Sequence, residues 1–140
     1  MRSRMNEPHE VVYFTDRDLG HQFPEKLRAA GLRVERLDDH FDQLTPDSEW
    51  IAEVGRRGWV AVTRDARIRY SPLALETLMT SGARLFVIVG RLTTDEAADV
   101  FVKHEKRIEQ LLRKERKPFI GKVRRDSVKA WLRMSEWRRS

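Results

Sequence analysis

Cysteine is absent from this 140-residue chain. That excludes disulfide frameworks, thiolate zinc sites, iron–sulfur clusters and cysteine nucleophiles. No run of ~18 apolar residues occurs, so no transmembrane helix is expected. The opening Met1-Arg-Ser-Arg-Met-Asn-Glu-Pro-His9 has no apolar stretch, so no secretory signal is expected and a cytoplasmic location is the default. Internal repeats and low-complexity segments are also missing. Histidine is sparse: His9, His21, His40 and His104 lie far apart, with no ligand spacing between any two. His104 falls on an apolar helical stripe and reads as a core or rim histidine.

What is present is 40% hydrophobic and 36% charged residues, with a net charge of +6. The length gives one full-sized core. The charge is uneven. Residues 1–102 carry 14 Lys/Arg against 17 Asp/Glu, whereas residues 103–140 carry 14 against 5. An acidic body therefore precedes a basic C-terminal stretch, and such a stretch either attracts phosphate-rich partners or merely coats a solvated helix.

Hydrophobic periodicity orders the chain as strand, helix, strand, helix, strand, helix, strand, helix. Val11-Val-Tyr-Phe-Thr15 reads as a buried strand, followed by a helix from His21 to Ala30. Leu32 to Leu37 forms a second strand. Thr45-Pro46 predicts a helix start with a hydroxyl N-cap and proline at the first helical position. Trp59-Val-Ala-Val-Thr63 is a third strand, with a helix from about Pro72 to Thr80. Arg84-Leu-Phe-Val-Ile-Val89 is the strongest strand signal. Thr93 and Glu96 predict a capping box opening one long helix to about Arg116. Residues 117–126 read as a linker. Val128, Trp131, Leu132 and Ser135 then predict a final helix from Asp126. Helices between successive strands imply parallel pairing with right-handed crossovers.

In an open parallel sheet, ligands bind beyond the carboxyl ends of the strands. Eight carboxylates fall at that edge: Asp16, Asp18, Asp38, Asp39, Asp47, Glu49, Asp65 and Asp95. Two carboxylates ~4 Å apart repel by about 4 kcal/mol at an effective dielectric near 20. A divalent cation reverses that sign, and all-oxygen ligands suit Mg²⁺ or Mn²⁺. Structural roles compete. Asp18 can cap a helix, Asp47 and Glu49 can complement a helix dipole, Asp95 sits inside the capping box, and Asp38, Asp39 and Asp42 can serve in turns. Asp16 and Asp65 each directly follow an apolar strand, where a charge without a partner is costly.

The segments FTDRDLG from Phe14, PDSEWI from Pro46 and VTRD from Val62 resemble the PIN-like domains, in particular the short VapC-like toxins of bacterial toxin–antitoxin pairs. The resemblance covers roughly residues 11–100. It implies a three-layer α/β/α sandwich with a four-stranded or slightly larger parallel sheet, as a domain over 1–116. Residues 117–140 would add a basic C-terminal helical arm. It further implies metal-dependent endoribonuclease activity with Mg²⁺ or Mn²⁺. Carried over residue by residue, Asp16, Glu49 and Asp65 are the catalytic acids, with Asp18 assisting and Asp47 competing with Glu49. All five are candidate metal ligands. Thr63, Arg64, Arg67 and Arg69 are candidate substrate-binding residues. Relatives often carry a further acid soon after Thr-x-Asp, whereas this chain reads Ala66-Arg-Ile-Arg69. The implied partners are RNA, a cognate antitoxin protein and a second copy of the chain, with no membrane. Trp131 and Trp137 in the basic arm are candidate stacking platforms or packing residues.

Three other readings compete. A non-catalytic RNA- or protein-binding module would use the same fold and the basic arm. A response-regulator receiver also gathers acids at strand ends but needs a lysine ending a fifth strand, and no such strand is evident. A dinucleotide-binding turn would be glycine-rich, whereas Asp16-Arg-Asp-Leu-Gly20 has one glycine and is acidic.

Overall fold

A computed structural model describes residues 10–137; Met1–His9, with His9, and residues 138–140 lie outside the described residues. The sheet has six strands: β1 (Val12–Thr15), β2 (Arg33–Arg36), β3 (Val60–Thr63), β4 (Arg84–Ile88), β5 (Phe119–Arg124) and β6 (Ser127–Arg133). Their order is β2-β1-β3-β4-β5-β6. All neighbours pair in parallel except β5 and β6, which are antiparallel. Helices α1 (Gln22–Ala29), α4 (Thr94–Lys103) and α5 (Glu105–Lys114) cover one face, and α2 (Asp47–Arg57) and α3 (Pro72–Ser81) cover the other. A single turn, Met134–Trp137, ends the described chain.

The central strands are apolar on both sides because both faces are covered. Along β1, Tyr13 joins the α1/α4/α5 core and Phe14 joins the α2/α3 core. Gly55 on α2 lets α3 approach closely, since a Cβ there would lie 2.5 Å from Ser81 Oγ.

Four local expectations give way to the structure. Thr45 does not cap α2: its hydroxyl turns back to Asp42 at 3.2 Å, and Pro46 takes the N-cap position with extended backbone. The long helix from Thr93 is two helices divided at His104, whose ring nitrogen binds the carbonyl of Arg125 at 2.9 Å. The supposed linker 117–126 contains β5. The supposed helix from Asp126 is β6, so the C-terminal segment extends the sheet as a hairpin and is not a helical arm.

The reason lies in a β-bulge. Ile120 pairs with Leu132, but Gly121 pairs with Ala130, so Trp131 is the extra residue. Without the bulge, Val128 and Leu132 would face the same side of the sheet. With it, Val128 joins one core and Leu132 the other. A bulged strand thus spaces its apolar residues three and four apart, which is also the helical signature.

The α5 face carries a pH-sensitive feature. Burial, the hydrogen bond that protonated Glu105 donates to Glu109 and the charge of Glu109 push the Glu105 carboxyl up to about 7, with Lys106 opposing. Tyr13 faces the pair with its hydroxyl buried and without a hydrogen-bond partner among the described residues, and it is raised by burial and by both glutamates. A folded-state pKa above the unfolded value means that stability is full below the ordinary carboxylate range and is lost as pH rises through about 7. Glu105→Gln is expected to flatten the decline of melting temperature between pH 5 and 8, read by thermal melts. An unchanged slope would count against this origin.

Candidate active site

The strand order reverses between β1 and β3, since β1 leads to β2 on one side and β3 to β4 on the other. The crevice at such a switch point is where open α/β sheets bind ligands. Asp16 is fixed there because its N–H donates to the Val62 carbonyl at 2.9 Å, carrying the β1–β3 ladder one residue further. Its carboxylate caps the turn Arg17–Leu19 through the Arg17 N–H at 2.7 Å. That turn brings Asp18 back over the end of β3.

Thr63, fully buried at the end of β3, ties the site together. Its hydroxyl accepts from the Asp65 N–H at 3.0 Å and faces Asp16 Oδ2 at 2.7 Å and Asp18 Oδ2 at 3.2 Å. With one side taken by the Asp65 N–H, the single hydroxyl proton is directed between the two carboxylates. The Arg64 N–H adds a bond to Asp18 at 3.1 Å.

The electrostatics are those of crowded acids. Burial raises the Asp16 carboxyl, opposed by its bonds to Thr63 and Arg17, and Asp47 raises it further. Asp18 is pushed up to about 6, first by desolvation and then by the charge of Asp16, with Asp65 adding to it. Asp65 is held below the usual range by Arg67, which grips both its oxygens at 2.9 and 3.2 Å.

Of the eight acids expected at this edge, Asp16 and Asp18 share a hydroxyl, while Asp47 and Asp65 act on them electrostatically. Asp47 is oriented by the Trp50 indole N–H at 2.9 Å. Glu49 lies exposed in the same helical turn. Asp38 is neutralised by Arg17 at 2.7 Å, Asp39 by Arg36, and Asp95 by Lys26 at 2.9 Å. Arg17 also binds the carbonyls of Asp42 and Gln43, latching the loop that leads into α2. Neither the Arg17 latch nor the shared Thr63 hydroxyl is legible in the sequence, because each joins residues more than 20 positions apart. Among the expected substrate contacts, Arg64 turns its guanidinium to the carbonyls of Leu92 and Gly90, Arg67 pairs with Asp65, and Arg69 points to Trp131.

A fifth strand with a lysine does exist, contrary to the expectation from sequence. Lys122 on β5, however, packs its ammonium 4.0 Å from the Trp131 ring centre and not against the acids.

A family model described as a PIN like domain matches residues 11–90, the segment that supplies every acid of this crevice. The chain belongs to the PIN-like domain family. A protein of Mycobacterium tuberculosis (strain ATCC 25618 / H37Rv) named "Putative ribonuclease VapC45" is 38% identical over 80 residues, covering 54% of this chain and 58% of that protein. The chain thus spans little more than half of that relative. No solved structure matches it. Within the PIN-like domain, no three His, Asp or Glu side chains among the described residues converge closely enough to form a metal cage. The donor set nonetheless fits a hard divalent ion, because Mg²⁺ binds through one or two carboxylates and completes its shell with water and substrate phosphate.

Thr63→Val keeps the shape of the side chain and removes the hydroxyl. The Asp65 N–H loses its acceptor, and Asp16 and Asp18 lose their shared donor. The expected result is a melting temperature lowered by the equivalent of about 1–3 kcal/mol. An unchanged melting temperature would remove Thr63 from the positioning role.

Proposed function

We propose that the chain is a metal-dependent endoribonuclease that hydrolyses RNA phosphodiester bonds, acting as the toxin of a toxin–antitoxin pair in the cytoplasm. The observation that carries this reading is the convergence of Asp16 and Asp18 on the Thr63 hydroxyl at the switch point. The name of the mycobacterial relative supports the same activity.

Asp16 and Asp18 would hold Mg²⁺ or Mn²⁺, with Asp47 and Asp65 placed to reach it through water. When bound, such an ion neutralises the phosphorane charge and lowers the pKa of an attacking water. The chain's own groups do the rest. Thr63 and the Arg64 N–H keep both carboxylates aimed into the crevice. Asp16 would also orient the attacking water. Arg67, 90% exposed along its side chain, can release Asp65 to meet a phosphate. Glu49, in the same helical turn as Asp47, competes with it for the role of reaching the ion through water. The cognate antitoxin remains part of the proposal as the partner that would silence the site.

The test is cleavage of a mixed RNA pool with Mg²⁺ or Mn²⁺, compared with EDTA, by the wild type, Asp16→Asn and Asp65→Asn. Cleavage that requires metal and is lost in the variants supports the reading. Wild-type protein that binds RNA with steep salt dependence but leaves it uncut overturns the nuclease in favour of a binding module.

A further inference from the structure

Immediately after Asp65 the chain makes a short 3-10 turn, Ala66–Tyr70, which ends beside the C-terminal hairpin. Two cations and two aromatic rings meet there. The Arg69 guanidinium lies 5.3 Å from the Tyr70 ring centre and 5.9 Å from that of Trp131. The Lys122 ammonium lies 4.0 Å from the Trp131 centre. Tyr70 meets Trp131 edge-on at 6.1 Å and is itself 69% exposed. The bulge in β6 falls at Trp131 and inserts this indole between the two cations.

Neither cation has a carboxylate partner among the described residues, and Arg69 Nε is buried without an acceptor. This sets them apart from most other arginines near the site, which are paired or bonded to carbonyls. Like charges held together without a counterion cost energy, and burial, Arg124 and Arg69 all lower the Lys122 ammonium below its ordinary value. An anion brought to this point would remove that cost. Arg69 and Tyr70 both border a groove of about 630 Å³ whose lining also includes Pro72, Leu75 and Leu132 together with Glu76 and Glu136. Its apolar walls accept a flat neutral ring.

The patch lies on the path of the acidic crevice. Thr63 is in register with Val87, and Val87 with Lys122, so Lys122 is two strands from the hydroxyl that holds Asp16. At ordinary strand spacing that is about 10 Å. This is the axial length of about three stacked nucleotides.

We infer that Arg69, Tyr70, Lys122 and Trp131 form a docking platform for the single-stranded RNA flank a few nucleotides from the cut, Tyr70 stacking on a base and the two cations holding phosphates. This rests on the ribonuclease reading and specifies its substrate as unpaired at that flank. Trp131 acts through the others: its ring seats Lys122 and Arg69, and its edge contact holds Tyr70. A duplex would keep its bases inside the stack and leave Tyr70 unused. An acidic peptide would satisfy the cations but would have no use for the exposed ring.

The experiment uses the full chain in an Asp16→Asn background and a fluorescently labelled single-stranded RNA of about 12 nucleotides. Affinity is read by anisotropy between about 50 and 200 mM salt. Tyr70→Ala is expected to weaken binding about tenfold. The double variant Arg69→Gln/Lys122→Gln is expected to reduce the slope of log K against log salt by about 1.4, or ~0.7 for each phosphate no longer neutralised. Circular dichroism and melting curves matched to the parent confirm folding. In the cleaving background, Tyr70→Ala should raise KM about tenfold with kcat within about twofold. Unchanged affinity and slope in all variants would overturn the platform while leaving the nuclease standing. Weakened binding in the variants without any cleavage by wild type would sink the nuclease and keep the platform. Loss of polyglutamate binding with RNA affinity intact would assign the patch to a protein partner and overturn the inference.

Discussion

On the proposed nuclease reading, Asp16→Asn is expected to lower RNA cleavage about 10²–10³-fold while leaving the melting temperature at neutral pH unchanged or higher. The loss follows from position: Asp16 is the acid at the switch point that both neighbouring loops serve. Removing a carboxylate that would hold the charge-neutralising ion is worth about 3–4 kcal/mol of barrier, at ~1.4 kcal/mol for each factor of ten. The stability effect runs the other way because burial and Asp47 raise the Asp16 carboxyl. A group raised in the folded state supports folding only where it is protonated, and its charge opposes folding once pH exceeds the ordinary carboxylate range. A neutral amide removes that opposition and still offers an oxygen to the Arg17 N–H. Single-turnover cleavage and thermal melts of the same preparations check both halves. A variant that loses activity only because it melts earlier would contradict this account.

Gly121→Ala is expected to destabilise the fold by about 1–3 kcal/mol, with the active crevice unaffected. Gly121 lies in β5 against β4, where an added Cβ would sit 2.4 Å from the Phe86 ring. Phe86 cannot swing away freely, because it is fully buried and meets Phe119 edge-on at 5.7 Å. The ring or the strand must therefore shift. For a chain of this length the loss corresponds to a fall in melting temperature of roughly 3–12 °C. Phe86→Leu makes room and should return part of the loss in the double variant, a coupling that a double-mutant cycle measures directly. Full additivity of the two changes would locate the strain elsewhere.

Both effects depend on contacts between distant segments, and this is where the sequence is least readable. The apolar runs ending at Thr15, Thr63 and Ile88 announce their strands because both faces of the sheet are covered. The Thr93–Glu96 capping box is a local device and forms as its residues dictate. Asp16 and Asp65 stand out because each charge follows a buried strand. The carboxylates at 38, 39 and 95 look equivalent in sequence, yet Arg17, Arg36 and Lys26 neutralise them. Only the folded arrangement separates a paired acid from a crowded one. Likewise the choice between Asp47 and Glu49 depends on which side of the first turn of α2 faces β1. The C-terminal misreading has a different cause: helical spacing in Val128, Trp131 and Leu132 is produced by a strand with one extra residue.

That extra residue also sets which changes in length the hairpin can absorb. The ladder from Gly121–Ala130 to Ile120–Leu132 would be regular if residue 131 were missing, and Val128 and Leu132 would keep their present sides. The extra residue is therefore accommodated locally, at residue 131, with the pairing on either side of it kept. Deleting Trp131 would leave the hairpin's pairing and the burial of Val128 and Leu132 as they are, whereas deleting a neighbouring paired residue would turn one of those side chains out of its core.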